Sequence, residues 1–300
     1  MPGGSYLPDI FKKAADLFKR ILDFCRSKKK YVIIGGIGIL LVLCALITSI
    51  CIVSRYKKAK IKYEYIALNY PVVAEKKQPE VIMNESVEFI EAPEEEPEDE
   101  IPTPEELNAE WGELTGTDFL AFKADYPETV GWIFFENEDT SYPIMFSGDN
   151  EKYLHTAYDG TYLFAGAIFL DEESSTDFSD PHSLIYGHNM RDGSMFGKLR
   201  NYLNEPDYYE DHQYFMIFNG EKILKYRVFA YGIIPDSSII YWTFGPNPDN
   251  METLVDTIMA ESRIKPEDID VSASDTIVTL STCSAESDKR EIVCGILTDD

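Results

Sequence analysis

Residues 31 to 53, YVIIGGIGILLVLCALITSICIV, run for 23 positions without one charged side chain. At a rise of about 1.5 Å per residue, a helix of that length crosses a hydrocarbon layer of roughly 30 Å. A cleaved leader is the competing reading. The run is long for a leader, and the CIVSRYKK that closes it offers no small-residue cleavage site. An uncleaved transmembrane helix over 31–53 is therefore expected. Lys12, Lys13, Lys19, Arg20, Arg26, Lys28, Lys29 and Lys30 precede it, against Arg55, Lys57, Lys58, Lys60 and Lys62 after it. The bias is modest and favours a cytoplasmic N-terminus with the rest of the chain outside. Residues 1–30 read as a basic amphipathic segment, with Ile10, Phe11, Ala14, Phe18, Ile21 and Leu22 on one stripe. Such a segment would lie on an anionic inner leaflet, the alternative being a solvated tail.

Beyond the span, residues 54–103 read as an acidic, proline-rich extracellular linker. Its end, EAPEEEPEDEIPTPEE (91–106), has nothing to bury and repels itself. Thr103-Pro104-Glu105-Glu106 has the form of a capping box, so the folded domain is expected over 104–300. The chain carries 53 acidic against 27 basic residues, a formal charge of -26, which argues against a nucleic-acid partner. Five cysteines without a CxxC pair suggest neither a disulfide framework nor a zinc site.

From about 131 the texture becomes short β-rich runs: GWIFF, YPIMF, YLFAGAIFL, SLIYGH, YFMIF, KILKYRVFAYGII, DTIVTLSTC and REIVCGIL. Asn-Gly in FNGEK predicts a hairpin turn between Phe218 and Lys222. Helical patterns are confined to about 104–125, 194–203 and 251–262. A mainly β fold with peripheral helices follows, an antiparallel barrel or a sandwich, and periodicity does not choose between them.

The run TLSTCSAESDKREIV (279–293) sets Cys283 at the end of a strand, with Arg290 seven residues later. Alternation puts Val278, Leu280 and Thr282 on one face, and Ile277, Thr279, Ser281 and Cys283 on the other. The cysteine shares its face with hydroxyls, which weakens its reading as a buried hydrophobe. A thiol of ordinary pKa needs a base to become a nucleophile. Of four histidines, His182 (SDPHS) and His212 (YEDHQ) read as solvated, and His155 has no evident polar partner. His188 follows a strand at a glycine turn, where catalytic groups cluster.

DNEKYL (149–154), AGAIFLD (165–171), LIYGHNMRDGSMFGKL (184–199) and TLSTC with Arg290 together resemble a class B sortase over roughly 127–297. The resemblance implies an eight-stranded sortase-type β-barrel acting as a cysteine transpeptidase outside the membrane of a Gram-positive cell. Its expected partners are secreted proteins with a C-terminal sorting signal, NPxTN-like or PxTG-like, and a cell-wall precursor amine. No cofactor or metal is implied. By motif position Cys283 would be the nucleophile, His188 the acid/base, and Arg290 the donor to the substrate carbonyl and oxyanion. Asn150, Leu154 and Ser281 match the family's signal groove, and Tyr241, in the 235–250 connection, matches it weakly. Two departures stand out: the polar SAESDK after Cys283, where relatives often carry aromatics, and Cys294.

Three rival readings remain open: a pilin polymerase using a lysine acceptor, a cysteine hydrolase using water, and a tethered wall-binding or adhesin domain. Cys283 and Cys294 are expected to stay unbridged if Arg290 pairs with Cys283, since Cys294 would then lie about 13 Å along the next strand. Deletion of residues 1–100 is expected to leave an active enzyme.

Overall fold

A computed structural model describes residues 15–20, 29–70, 116–138, 140–242, 248–264, 266, 268–284 and 288–298. The chain divides into two units, 1–55 and 56–300. In the first, residues 15–20 are helical, and helix α1 (Lys29–Asn69) begins. Its apolar side chains from Ile37 to Val53 are exposed, as lipid-facing residues would be. This is a helix long and apolar enough to cross a membrane.

The second unit takes in the end of α1. The sequence reading placed a linker from residue 54, but helix continues to Asn69. The reason is a stripe at helical spacing, Ala59, Tyr63 and Ile66. Ala59 and Ile66 are buried, and Tyr63 donates its hydroxyl to the Gly166 carbonyl at 2.7 Å. Lys62 pairs with Asp159. Gly166 has φ +55°, and a side chain there would collide with the carbonyls of Tyr153 and Leu154, so the close approach requires glycine. The capping box at 103–106 and the linker from 71 onward lie outside the described residues.

Eight strands form the sheet: β1 (Thr129–Phe135), β2 (Ser141–Met145), β3 (Ile168–Leu170), β4 (His182–Tyr186), β5 (Tyr214–Phe218), β6 (Ile223–Pro235), β7 (Ile277–Cys283) and β8 (Lys289–Leu297). They close as a barrel in the order β1-β2-β3-β4-β7-β8-β6-β5. Closure decides between barrel and sandwich. The barrel is mixed rather than antiparallel, because β2 pairs with β3 and β4 with β7 in parallel. Each run quoted above supplies one strand, although YLFAGAIFL yields only its last three residues. The Asn-Gly hairpin joins β5 to β6, with Asn219 Oδ1 accepting from the amides of Glu221 and Lys222.

Helix α2 (Gly116–Asp125) packs Phe119 and Phe122 on the barrel. Where a helix over 194–203 was expected, turns lead into the short α3 (Asn201–Asn204), followed by α4 (Tyr208–Asp211). Helix α5 (Pro248–Glu261) lays Met251, Leu254 and Ile258 against Phe229, Ile277 and Ile292. Val278 and Leu280 belong to the main core instead. Strand β7 thus contributes to the main core on one face and to the cluster with α5 on the other.

Candidate active site

Strand β7 is the backbone of the site. It lies between β4 and β8, and its register sets Cys283 opposite Arg290 and Ser281 opposite both Tyr186 and Ile292. The Cys283 side chain lies outside the described set, so its surroundings are given by its neighbours. Across the end of β4, the Gly187 amide donates to the Ser281 carbonyl at 3.1 Å. A side chain at Gly187 would press into the Phe196 ring, so the turn that presents His188 needs glycine.

A cleft of about 350 Å³ opens here, lined by Asn150, Leu154, Phe169, Tyr186, Gly187, His188, Asp236, Tyr241, Ser281, Thr282 and Arg290. Such a volume lies in the range of small-ligand sites. The described residues predicted from sequence, His188, Arg290, Asn150, Leu154, Ser281 and Tyr241, all line it. Ser281 is buried, and its hydroxyl shares a 2.8 Å hydrogen bond with the Tyr241 hydroxyl. Tyr241 in turn stacks beside Tyr186, with ring centroids 6.4 Å apart.

His188 donates from Nε2 to the Leu154 carbonyl at 2.6 Å. Its ring stacks with those of His155 (5.6 Å) and Phe164 (6.4 Å). Burial lowers its pKa below the usual histidine value, the Leu154 carbonyl opposes that, and His155 lowers it further. Burial thus favours the neutral imidazole. A thiolate beside it would favour the charged form.

Arg290 donates to the Lys289 carbonyl at 2.9 Å and reaches Asp236 at 3.5 Å. Next to it, buried Glu291 accepts from Asn189 Nδ2 at 3.2 Å, which ties β8 to the turn after His188. Burial raises the Glu291 pKa. Thr282 is buried with no hydrogen-bond partner for its hydroxyl among the described residues. Among those residues no group of three or more His, Cys, Asp or Glu side chains is placed to hold a metal.

Two histidines depart from expectation. His182 is not solvated: it opens β4, is 3% exposed, and bonds Thr279 Oγ1 at 2.9 Å. Pro181 accepts from Ile277 next door, so the polar SDPHS run is already sheet. His212 is held by the Tyr208 carbonyl at 2.8 Å and stacks on the Tyr208 ring. His155 is exposed, and its ring lies beside those of His188 and Tyr162. Sequence reasoning also missed Phe169, Tyr186, Asp236 and Thr282. The YGH run pointed to Tyr186, whereas the others depend on register and loop placement.

No family model matches the chain. Sortase B of Listeria monocytogenes is 35% identical over 163 residues, 54% of this chain and 65% of the relative, so the match spans just under two thirds of that protein. The solved Listeria monocytogenes enzyme superposes with a TM-score of 0.53 at 33% identity, covering 59% of this chain and 99% of that structure. Sortase B of Staphylococcus aureus is 28% identical over 170 residues, covering 55% of this chain and 68% of the relative. Its substrate complex superposes with a TM-score of 0.58 at 25% identity, covering 64% of this chain and 90% of that structure. With the eight-stranded barrel, the near-complete overlap with the Listeria structure and the cleft at the end of β7, the chain belongs to the class B sortases.

Proposed function

We propose that the chain is a membrane-anchored cysteine transpeptidase of the sortase type. It cuts a C-terminal sorting signal after its Thr and passes the acyl group to a cell-wall precursor amine. Cys283 as thiolate attacks the Thr carbonyl carbon, forming a C–S bond, and Arg290 donates to the developing oxyanion. The peptide C–N bond then breaks as His188 gives its proton to the leaving amine. In the second half the acceptor amine attacks the thioester and its proton returns to His188. The C–S bond breaks, and the thiolate is restored. No proton or electron is gained or lost over the cycle.

The observation that carries this reading is the register: Cys283 pairs with Arg290, and both Arg290 and His188 line one cleft. The exposed apolar face of α1 supports a membrane anchor, with residues 1–30 cytoplasmic and the barrel outside. That a Staphylococcus aureus neighbour was solved as a sortase B–substrate complex supports reading the cleft as a peptide groove.

The test uses the full chain in detergent micelles, a panel of NPxTN-like and PxTG-like peptides, and triglycine as acceptor. Mass spectrometry of products is expected to show cleavage after Thr with an amide to the added amine. Products ending in a free carboxylate despite excess amine would favour the hydrolase. Transfer only to a lysine side chain would favour the pilin polymerase. Binding without cleavage of any peptide would favour the adhesin.

A further inference from the structure

Asp171, the last residue of the AGAIFLD run, has no part in the reaction above. It follows β3 and is 5% exposed. Its Oδ2 accepts from Asn150 Nδ2 at 2.8 Å and from the Tyr186 hydroxyl at 3.0 Å, while Oδ1 accepts from the Glu173 amide at 3.0 Å. One buried carboxylate thus holds two residues that line the cleft and come from distant parts of the chain.

The consequence for each is specific. Asn150 Oδ1 accepts from the Glu172 amide at 3.0 Å. With Nδ2 on Asp171, the amide has one orientation, leaving one N–H and one lone pair for a ligand. Tyr186 spends its O–H on Asp171, so toward a ligand it is a fixed ring with an acceptor oxygen. Burial and the Asp171 charge keep that phenol neutral.

We propose that Asp171 is a positioning residue for substrate recognition: it orients the Asn150 amide and the Tyr186 ring toward the sorting peptide without touching the peptide itself. The group it presents is matched to an uncharged amide, which can both give and take a hydrogen bond. This inference rests on the transpeptidase reading.

The test is a double-mutant cycle on the full chain with a peptide that the wild type processes. Asp171→Asn sets an amide against the two donors and breaks the arrangement while keeping the volume. KM is expected to rise at least about tenfold, because a charge-assisted hydrogen bond is lost from each wall residue, with kcat changed less than about threefold. Asn150→Ala should raise KM similarly, and the double variant should be no worse than the more impaired single one. Multiplying losses, an unchanged KM, or a loss confined to kcat would overturn the proposal. If Asp171→Asn fails to fold by circular dichroism, Tyr186→Phe severs one of the same bonds and keeps the ring. An unchanged KM in that variant would overturn it equally. A wild type that processes no peptide would instead remove the transpeptidase reading, and this inference with it.

Discussion

Strands β4, β7 and β8 carry a cysteine near each end of their shared sheet, with a histidine on or just beyond β4 at the same end. At one end His182 contacts Thr279 Oγ1, which lies 3.4 Å from Cys294 Sγ. At the other, Cys283 pairs with Arg290, and His188 lines the same cleft as that arginine. The residue types are nearly the same, and the environments are opposite. All three groups at the first end are buried; burial moves the His182 pKa down to about 4 and, against the opposing Thr279 hydrogen bond, the Cys294 pKa up to about 12. Burial there favours the neutral imidazole and the neutral thiol. The second end has an opening, a permanent cation and a histidine anchored through one nitrogen. On the proposed mechanism, a Cys–His pair serves catalysis only where charge can be held, and the two ends of β7 differ in just that respect.

The largest expected effect breaks the comparison outright. Cys283→Ala should lower turnover at least about ten-thousandfold, by removal of the proposed nucleophile. Cys294→Ala should stay within about twofold in turnover and lose on the order of 1 kcal/mol of stability to a small cavity. Steady-state transpeptidation and urea unfolding measure the two. A catalytic loss in Cys294→Ala matching that of Cys283→Ala would erase the distinction.

Arg290→Lys comes next. Lysine keeps the charge but not the planar fork, and loss of one oxyanion donor costs on the order of a hundred- to thousandfold in rate. The variant should fold normally and lose at least about a hundredfold in kcat, with KM moving much less.

The open end is also the one braced by α1. Tyr63 holds Gly166, Tyr56 approaches Phe164 with centroids 6.4 Å apart, and Phe164 stacks on His188. Deleting residues 1–55 should therefore spare turnover. Deleting 1–100, which the sequence alone suggested was harmless, should cost at least about tenfold through a looser His188. Equal activity of the two truncated proteins would mean that the helix contacts are incidental.

The smallest effect concerns acid. His182 has a folded pKa below its ordinary 6.5, so the neutral form is what the fold stabilises. That contribution is full above pH 6.5 and declines as pH falls toward about 4, since the unfolded chain takes up the proton first. His182→Gln should flatten this part of the stability–pH curve, and thermal melts from pH 7 to 4 would show it.

Much of this was legible in the sequence. Eight runs rich in β-branched and aromatic residues became eight strands, because such residues suit a pleated, half-buried surface. The parallel pairs were not legible, since they depend on which distant strands meet. Strand β3 is short because Leu163 to Ala167 form a turn that is buried against Tyr153 and accepts Tyr63. His182 was misread because a polar neighbourhood looks like a loop even when its carbonyls are already in a sheet. The helical end of α1 was hidden by Lys57, Lys58, Lys60 and Lys62, although Ala59, Tyr63 and Ile66 formed a stripe between them. For the site, motif order pointed to residues that do share one cleft. Asp171 stood in a quoted motif without a role, because its two partners lie 21 and 15 residues away.

The central claim is that only the Cys283 end of β7 carries an acyl group. The direct measurement is to mix the full chain in detergent with a processed sorting peptide, quench with acid before adding acceptor, and locate the adduct by peptide mapping. The account predicts an acyl mass on the peptide bearing Cys283, discharged by triglycine, and an unmodified Cys294. An adduct on Cys294, or product formed at the wild-type rate by Cys283→Ala, would contradict it.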